Sequence, residues 1–180
     1  MVRKHNDTYT LDTIDQGILY ELQLDARNTT HEEISEELDV SPSTIRNRIT
    51  KLEAADIIET YVPQTNYERA GFPLRVQFVC TAAPEIRSCC AQKAIELHGV
   101  IRIDETITSE QNLCIEVVAL DTQDLATITQ HLTKLDLQIN SSEIITKTYT
   151  KPFTYFERAE EHVQSQSQSR REESPEGDAE

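Results

Sequence analysis

No apolar run in the chain approaches the length of a membrane span. The opening MVRKHNDTYT lacks the apolar stretch of a signal peptide, so the expectation is a soluble, cytoplasmic protein. No Cys-x-x-Cys occurs among the four cysteines. Cys80 and Cys114 sit in apolar runs, and the adjacent Cys89 and Cys90 must diverge on a helix. Reduced core thiols are therefore expected, rather than a disulfide or metal site, and no cofactor is implied. Cations are scarce: 17 Lys and Arg stand against 32 Asp and Glu, a formal net charge of −15. The acidic excess is dispersed rather than gathered in one tail, which reads as an acid-coated surface. Hydrophobic residues make up 37 % of the 180 positions, enough for one full domain or two small ones.

Apolar residues recur at Leu11, Ile14, Ile18 and Leu22, one stripe of a helix. DARNTTHEE interrupts it, and Thr30 with Glu33 has the spacing of a capping box opening a short helix that buries Ile34 and Leu38. After a turn over Asp39 to Ser41, Ser41 caps a third helix with Pro42 at its first position, where the missing N–H costs nothing. Ile45, Ile49 and Leu52 form its buried stripe. The opposite arc carries Ser43, Asn47 and Thr50, flanked by Arg46 and Lys51, while Arg48 lies nearer the buried edge with its guanidinium expected to reach outward. IIETYVPQTNYERAGF reads as a strand, a turn at Pro63 and a short connector.

Beyond Pro73 the period changes. LRVQFVCTA reads as a strand with Val76, Phe78 and Cys80 on one face, and PEIRSCCAQKAIELHG as a helix from Pro84 to Gly99. VIRIDETITS and NLCIEVVAL are strands joined by a polar turn. DTQDLATITQHLTKL is a helix capped by Asp121 with Leu125, Ile128, Leu132 and Leu135 as its stripe, and INSSEIITKTYTKPF is a final strand. The β-α-β-β-α-β order is the split βαβ of a ferredoxin-like domain, giving an α+β class. The expected domains are 1–62, a winged helix-turn-helix; 63–73, a connector; 74–153, the ferredoxin-like domain; and 154–180, an acidic tail disordered from about Ala159.

A helix fits the major groove, and its N-terminal residues approach the base edges. Ser41, Ser43 and Thr44 are small enough for close approach. Arg46 and Asn47 can read guanine and adenine edges, and Arg48 and Lys51 suit phosphates, with Thr50 on the same face. A merely solvated cationic face is the bland alternative for an isolated helix. The capped start, the preceding short helix and the tight turn favour DNA.

LDTIDQGILYELQLDARNT, followed by EEISEELDVSPSTIRNRITKLEAADII and a ferredoxin-like domain, resembles the Lrp/AsnC family of transcription regulators up to Phe153. The resemblance implies a DNA-binding regulator that pairs through its C-terminal sheets as a homodimer or higher oligomer, with a C-terminal domain that either senses a small metabolite or serves dimerisation alone. Two departures stand out. Asp56 replaces the glycine that ends the family's third helix in a left-handed conformation. Ser109, Glu110, Gln111 and Asn112 occupy the effector turn, without the family's Gly-x-Tyr-Asp. Tyr149, Phe153, Tyr155 and Phe156 are candidates for packing at a dimer edge, and His98 and His131 are expected exposed.

Two rival readings follow from the same plan. A sirohaem decarboxylase-like enzyme would need His, Tyr and Trp in the sensing domain, but the chain has no Trp, and RIDETITS and NLCIEVVAL hold no His or Tyr. A partner-only protein would modulate paralogous regulators without binding DNA. The negative charge opposes phosphate in dilute solution. Abundant Asp, Glu and Thr with few Lys resembles proteins of salt-loving archaea, and at molar salt the Debye length falls to about 3 Å, so only contact charges count.

Overall fold

The computed structural model describes residues 9–107 and 110–156. They fall into two compact units. One holds the chain through Val62 together with the segment that returns from Thr150; the other is Pro63–Tyr149. The outer part of the proposed acidic tail, residues 157–180, lies outside the described residues.

The first unit contains α1 (Thr13–Asp25), α2 (His31–Glu37) and α3 (Pro42–Ala54). Each start is capped by a side chain: Asp12 for α1, Thr30 for α2 and Ser41 for α3. These oxygens satisfy N–H groups that have no partner within the helix. The expected Thr30–Glu33 box closes, with the Thr30 N–H donating to Glu33 Oε2 at 2.7 Å and the Glu33 N–H to Thr30 Oγ1 at 3.2 Å. Ile18, Leu19, Ile34, Ile45, Ile49 and Leu52 form the core.

Two helix ends are built from aspartate in the left-handed conformation, Asp39 at φ 51° and Asp56 at φ 56°. At Asp56 the Ile57 N–H reaches the Leu52 carbonyl (2.9 Å) and the Asp56 N–H the Glu53 carbonyl (3.1 Å), a Schellman closure with Ile57 packing into the core. This closure also explains a departure from the sequence reading. The strand expected from Ile57 onward does not form, because the Ile57 and Ile58 N–H groups are spent on Leu52 rather than on a ladder.

The second unit holds β1 (Leu74–Thr81), α4 (Arg87–Ala94), β2 (Val100–Glu105), β3 (Leu113–Ala119), α5 (Thr122–Thr133) and β4 (Gln138–Ile144). The sheet order is β2-β3-β1-β4, with every neighbouring pair antiparallel, the expected split βαβ. Val76, Phe78 and Cys80 of β1 and Leu113, Ile115 and Val117 of β3 face α4 and α5 across one core. Gly99 (φ 81°) permits close packing, since a Cβ there would lie 2.7 Å from the Val118 carbonyl.

Three local expectations are corrected here. The helix expected from Pro84 to Gly99 runs only over Arg87–Ala94. The Ala83 carbonyl takes both the Ile86 and Arg87 N–H groups, and Leu97 and Val100 bond three residues back, so both ends tighten into turns. The final strand stops at Ile144 instead of running to Phe153, because its ladder on β1 ends opposite Val76. Cys114 is only half-buried, because Leu113 and Ile115 take the core side and alternation turns it to the other face. Cys80 and Cys90 are buried, Cys89 is exposed and all four thiols are free.

The returning segment adds to the first unit. Phe156, in a single 3-10 turn, packs on the helix-turn-helix core. The Phe153 N–H donates to Gln23 Oε1 at 2.9 Å. These aromatics, expected at a dimer edge, thus have partners within their own chain. Tyr149 remains 81 % exposed.

Candidate nucleic-acid interface

Burial of Ile45, Ile49 and Leu52 fixes which side of α3 faces outward. Ser43, Arg46, Asn47, Thr50 and Lys51 are all exposed, as is Ser41 at the cap, while Thr44 is half-buried. At the N-terminus the three hydroxyls converge: Ser41 Oγ lies 2.9 Å from Ser43 Oγ and 2.8 Å from Thr44 Oγ1, and accepts the Thr44 N–H at 3.2 Å. This is a small polar end that a nucleic-acid backbone can approach closely. Thr50 donates its hydroxyl to the Arg46 carbonyl at 3.1 Å. The side chains of Arg46, Asn47 and Lys51 have no hydrogen-bond or ion-pair partner among the described residues, so their donors are free for an external acceptor.

Arg48 departs from the expected outward pose. Its guanidinium turns inward across the unit, where Nη1 pairs with Asp12 Oδ2 and with Asp15 Oδ1 at 3.1 Å. The Asp15 side chain is 1 % exposed, and a buried carboxylate is costly unless paired and hydrogen-bonded. It also accepts the Tyr9 hydroxyl at 3.2 Å and the Asp12 N–H at 3.3 Å. Burial pushes the Asp12 carboxyl up, but the Asp15 N–H and the Arg48 guanidinium outweigh this and hold it below the ordinary value. The same pairing raises Arg48 further. Sequence reading missed Asp12, Asp15 and Tyr9. The three-residue Asp12–Asp15 spacing before the first stripe was an available signal for the box itself, though not for its arginine.

The turn in the second unit is also corrected. Asn112 is 6 % exposed. Its Oδ1 accepts the Ala82 N–H at 3.0 Å and its Nδ2 donates to the Ala82 carbonyl at 2.8 Å. One N–H and one lone pair of the amide are thus held by the backbone, and little of the side chain is open to an effector. Glu110 and Gln111 are exposed, and their carbonyls accept the Thr81 and Thr106 hydroxyls. Ser109 lies outside the described residues. An open concavity of about 370 Å³ elsewhere in this unit is lined by residues including Gln64, Tyr67, Phe72, Arg75, Lys147 and Thr148, and none of the turn residues reaches it. His98 and His131 are exposed, and no cluster suited to a metal ion occurs among the described residues. No helix among them is long and apolar enough to cross a membrane.

Residues 11–59 match the family described as winged helix-turn-helix DNA-binding. An uncharacterized HTH-type transcriptional regulator of Pyrococcus horikoshii is 36 % identical over 98 residues, covering 54 % of this chain and 61 % of that protein. A second regulator so described, from the same organism, is 27 % identical over 152 residues, covering 84 % of this chain and 94 % of that one. Among solved structures, Escherichia coli AsnC superposes with a TM-score of 0.66 at 22 % identity, covering 81 % of this chain and 98 % of AsnC. The chain thus joins a helix-turn-helix unit, matched to the winged helix-turn-helix DNA-binding family, to a four-stranded α+β unit, in the fold of AsnC.

Proposed function

We propose that this chain is a sequence-specific DNA-binding transcriptional regulator of the Lrp/AsnC type, with α3 as the helix that enters the major groove. The observation that carries the reading is the exposed, unpartnered trio Arg46, Asn47 and Lys51 on a helix whose start is capped by Ser41. Arg46 and Asn47 read base edges, Lys51 meets phosphate, and Ser41, Ser43, Thr44 and Thr50 supply short hydroxyl contacts. Arg48 leaves that set. Descriptions of the Pyrococcus relatives as transcriptional regulators support the reading, and no catalytic role is assigned.

The oligomer forms through the second unit. Its two helices share one face of the sheet, while Gln77, Val79, Cys114 and Glu116 on the other face are half-buried within the single chain. Pairing of two such faces gives the homodimer that a two-fold operator demands. Asn112 leaves the set of effector candidates, being committed to Ala82, while the exposed side chains of Glu110 and Gln111 keep the turn open to a metabolite. Adaptation to concentrated salt rests on composition alone, the named relatives being from Pyrococcus. A gain in folded fraction in molar KCl supports that adaptation, and full folding in dilute buffer without such a gain contradicts it.

Genome-wide chromatin immunoprecipitation of the tagged protein tests the main proposal. Enrichment at discrete sites sharing a palindromic consensus is the expected result. Absence of enrichment, with co-purification of a paralogous regulator, would favour the partner-only reading instead.

A further inference from the structure

We infer that Arg48 is a positioning residue for DNA recognition: by bridging Asp12 and Asp15 it fixes the pose in which α3 presents Arg46 and Asn47, and it makes no phosphate contact. The inference rests on the proposed DNA reading and deepens it.

Arg48 is three residues after Ile45 and four before Leu52, so it sits on the edge of the buried stripe rather than on the outward arc. From there Nη1 contacts two carboxylates that belong to one structure, the capping box opening α1. Asp12 Oδ1 accepts the Asp15 N–H at 2.9 Å, so the first turn of α1 and both carboxylates are held together. A cation on α3 bonded to that turn ties the two helices at one point. Helix rotation decides which side chains meet base edges, so a tie at this point bears on base choice more than on total charge.

The electrostatics agree. One guanidinium between two carboxylates leaves the cluster with a surplus of negative charge, which gives it no hold on a phosphate. To reach DNA, Arg48 would have to abandon a carboxylate that is 1 % exposed, leaving it only the Tyr9 hydroxyl at 3.2 Å and the Asp12 N–H at 3.3 Å. A residue that neutralises no phosphate releases no counterion, so it is silent in the salt dependence of binding, where each phosphate contact adds about 0.9 to the slope of log K against log salt.

The test compares Arg48→Gln and Asp12→Asn with the unmodified chain, using a recovered genomic site and an unrelated duplex across a salt series. Asp12→Asn keeps a capping oxygen and so preserves the fold where Arg48→Gln fails to. Expected is a drop of about tenfold in the preference for the site in either variant, with the salt slope unchanged. Either of two results overturns the assignment: a slope flattened by about 0.9 in Arg48→Gln, or a steeper slope and tighter binding to both duplexes in Asp12→Asn. Unchanged preference in both variants also overturns it. If the unmodified chain retains no duplex at any salt, the DNA reading itself falls, and this assignment with it.

Discussion

Replacing Asn112 by Ala separates a structural clip from a ligand-binding side chain. Its amide closes two hydrogen bonds to Ala82, at 3.0 and 2.8 Å, between residues that are only 6 % and 3 % exposed. Asn112→Ala strands the Ala82 N–H and carbonyl together, and each unsatisfied buried group costs about 1–3 kcal/mol. The sum is about 2–6 kcal/mol, and some water entry into the vacated space places the expectation in the lower half, about 3 kcal/mol. A unit of this size loses roughly 4–8 °C per kcal/mol, so its thermal midpoint should fall by about 12 °C or more, read by circular dichroism. Asn112→Asp adds a sign. It keeps an acceptor for the N–H but turns an oxygen toward the Ala82 carbonyl, so the folded state favours the protonated acid and raises that carboxyl above its unfolded value of about 3.9. The stability this proton supplies is present below the unfolded value and lost as pH rises through the raised one, so the variant's deficit should shrink on acidification. An Asn112→Ala protein within about 0.5 kcal/mol of the parent, the range of an ordinary surface change, would refute the clip.

Three other outcomes follow from the packing. Asp39→Gly relieves a left-handed aspartate and removes an anion from the C-terminal end of α2, so chemical denaturation should show a gain of about 0.5–1 kcal/mol. Phe156→Ala removes a part-buried ring that packs on the helix-turn-helix core and lies 5.1 Å from Phe153; a loss of about 1–3 kcal/mol is expected in urea unfolding of that unit, less than full burial would give. In native thiol labelling followed by mass spectrometry, exposed Cys89 should react first, while burial, with Cys114 nearby, pushes the Cys80 thiol up to about 11 and keeps it unlabelled until the chain unfolds.

What could be read from the sequence was what is local. The stripe at Leu11, Ile14, Ile18 and Leu22, the Thr30–Glu33 box and the Ser41–Pro42 start each involve residues within a few positions, and all three helices follow from them. The split βαβ order was legible because strand and helix periods alternate cleanly after Pro73. Distance in sequence is where the reading failed. Arg48 finds its carboxylates 33 and 36 residues away, and Asn112 its backbone partner 30 residues away, so neither contact leaves a mark in a local pattern. The strand expected after α3 failed for another reason: Ile57 and Ile58 have strand chemistry, but the helix end claims their N–H groups.

The central claim is that α3 reads base pairs through side chains that the fold leaves free, and the most direct measurement is quantitative mobility-shift binding of Arg46→Ala and Lys51→Ala to a recovered site and its point variants. Arg46→Ala should relax discrimination at one base pair by about 1–3 kcal/mol, whereas Lys51→Ala should weaken all sequences alike. Binding of both variants indistinguishable from the unmodified protein at every site would contradict the account.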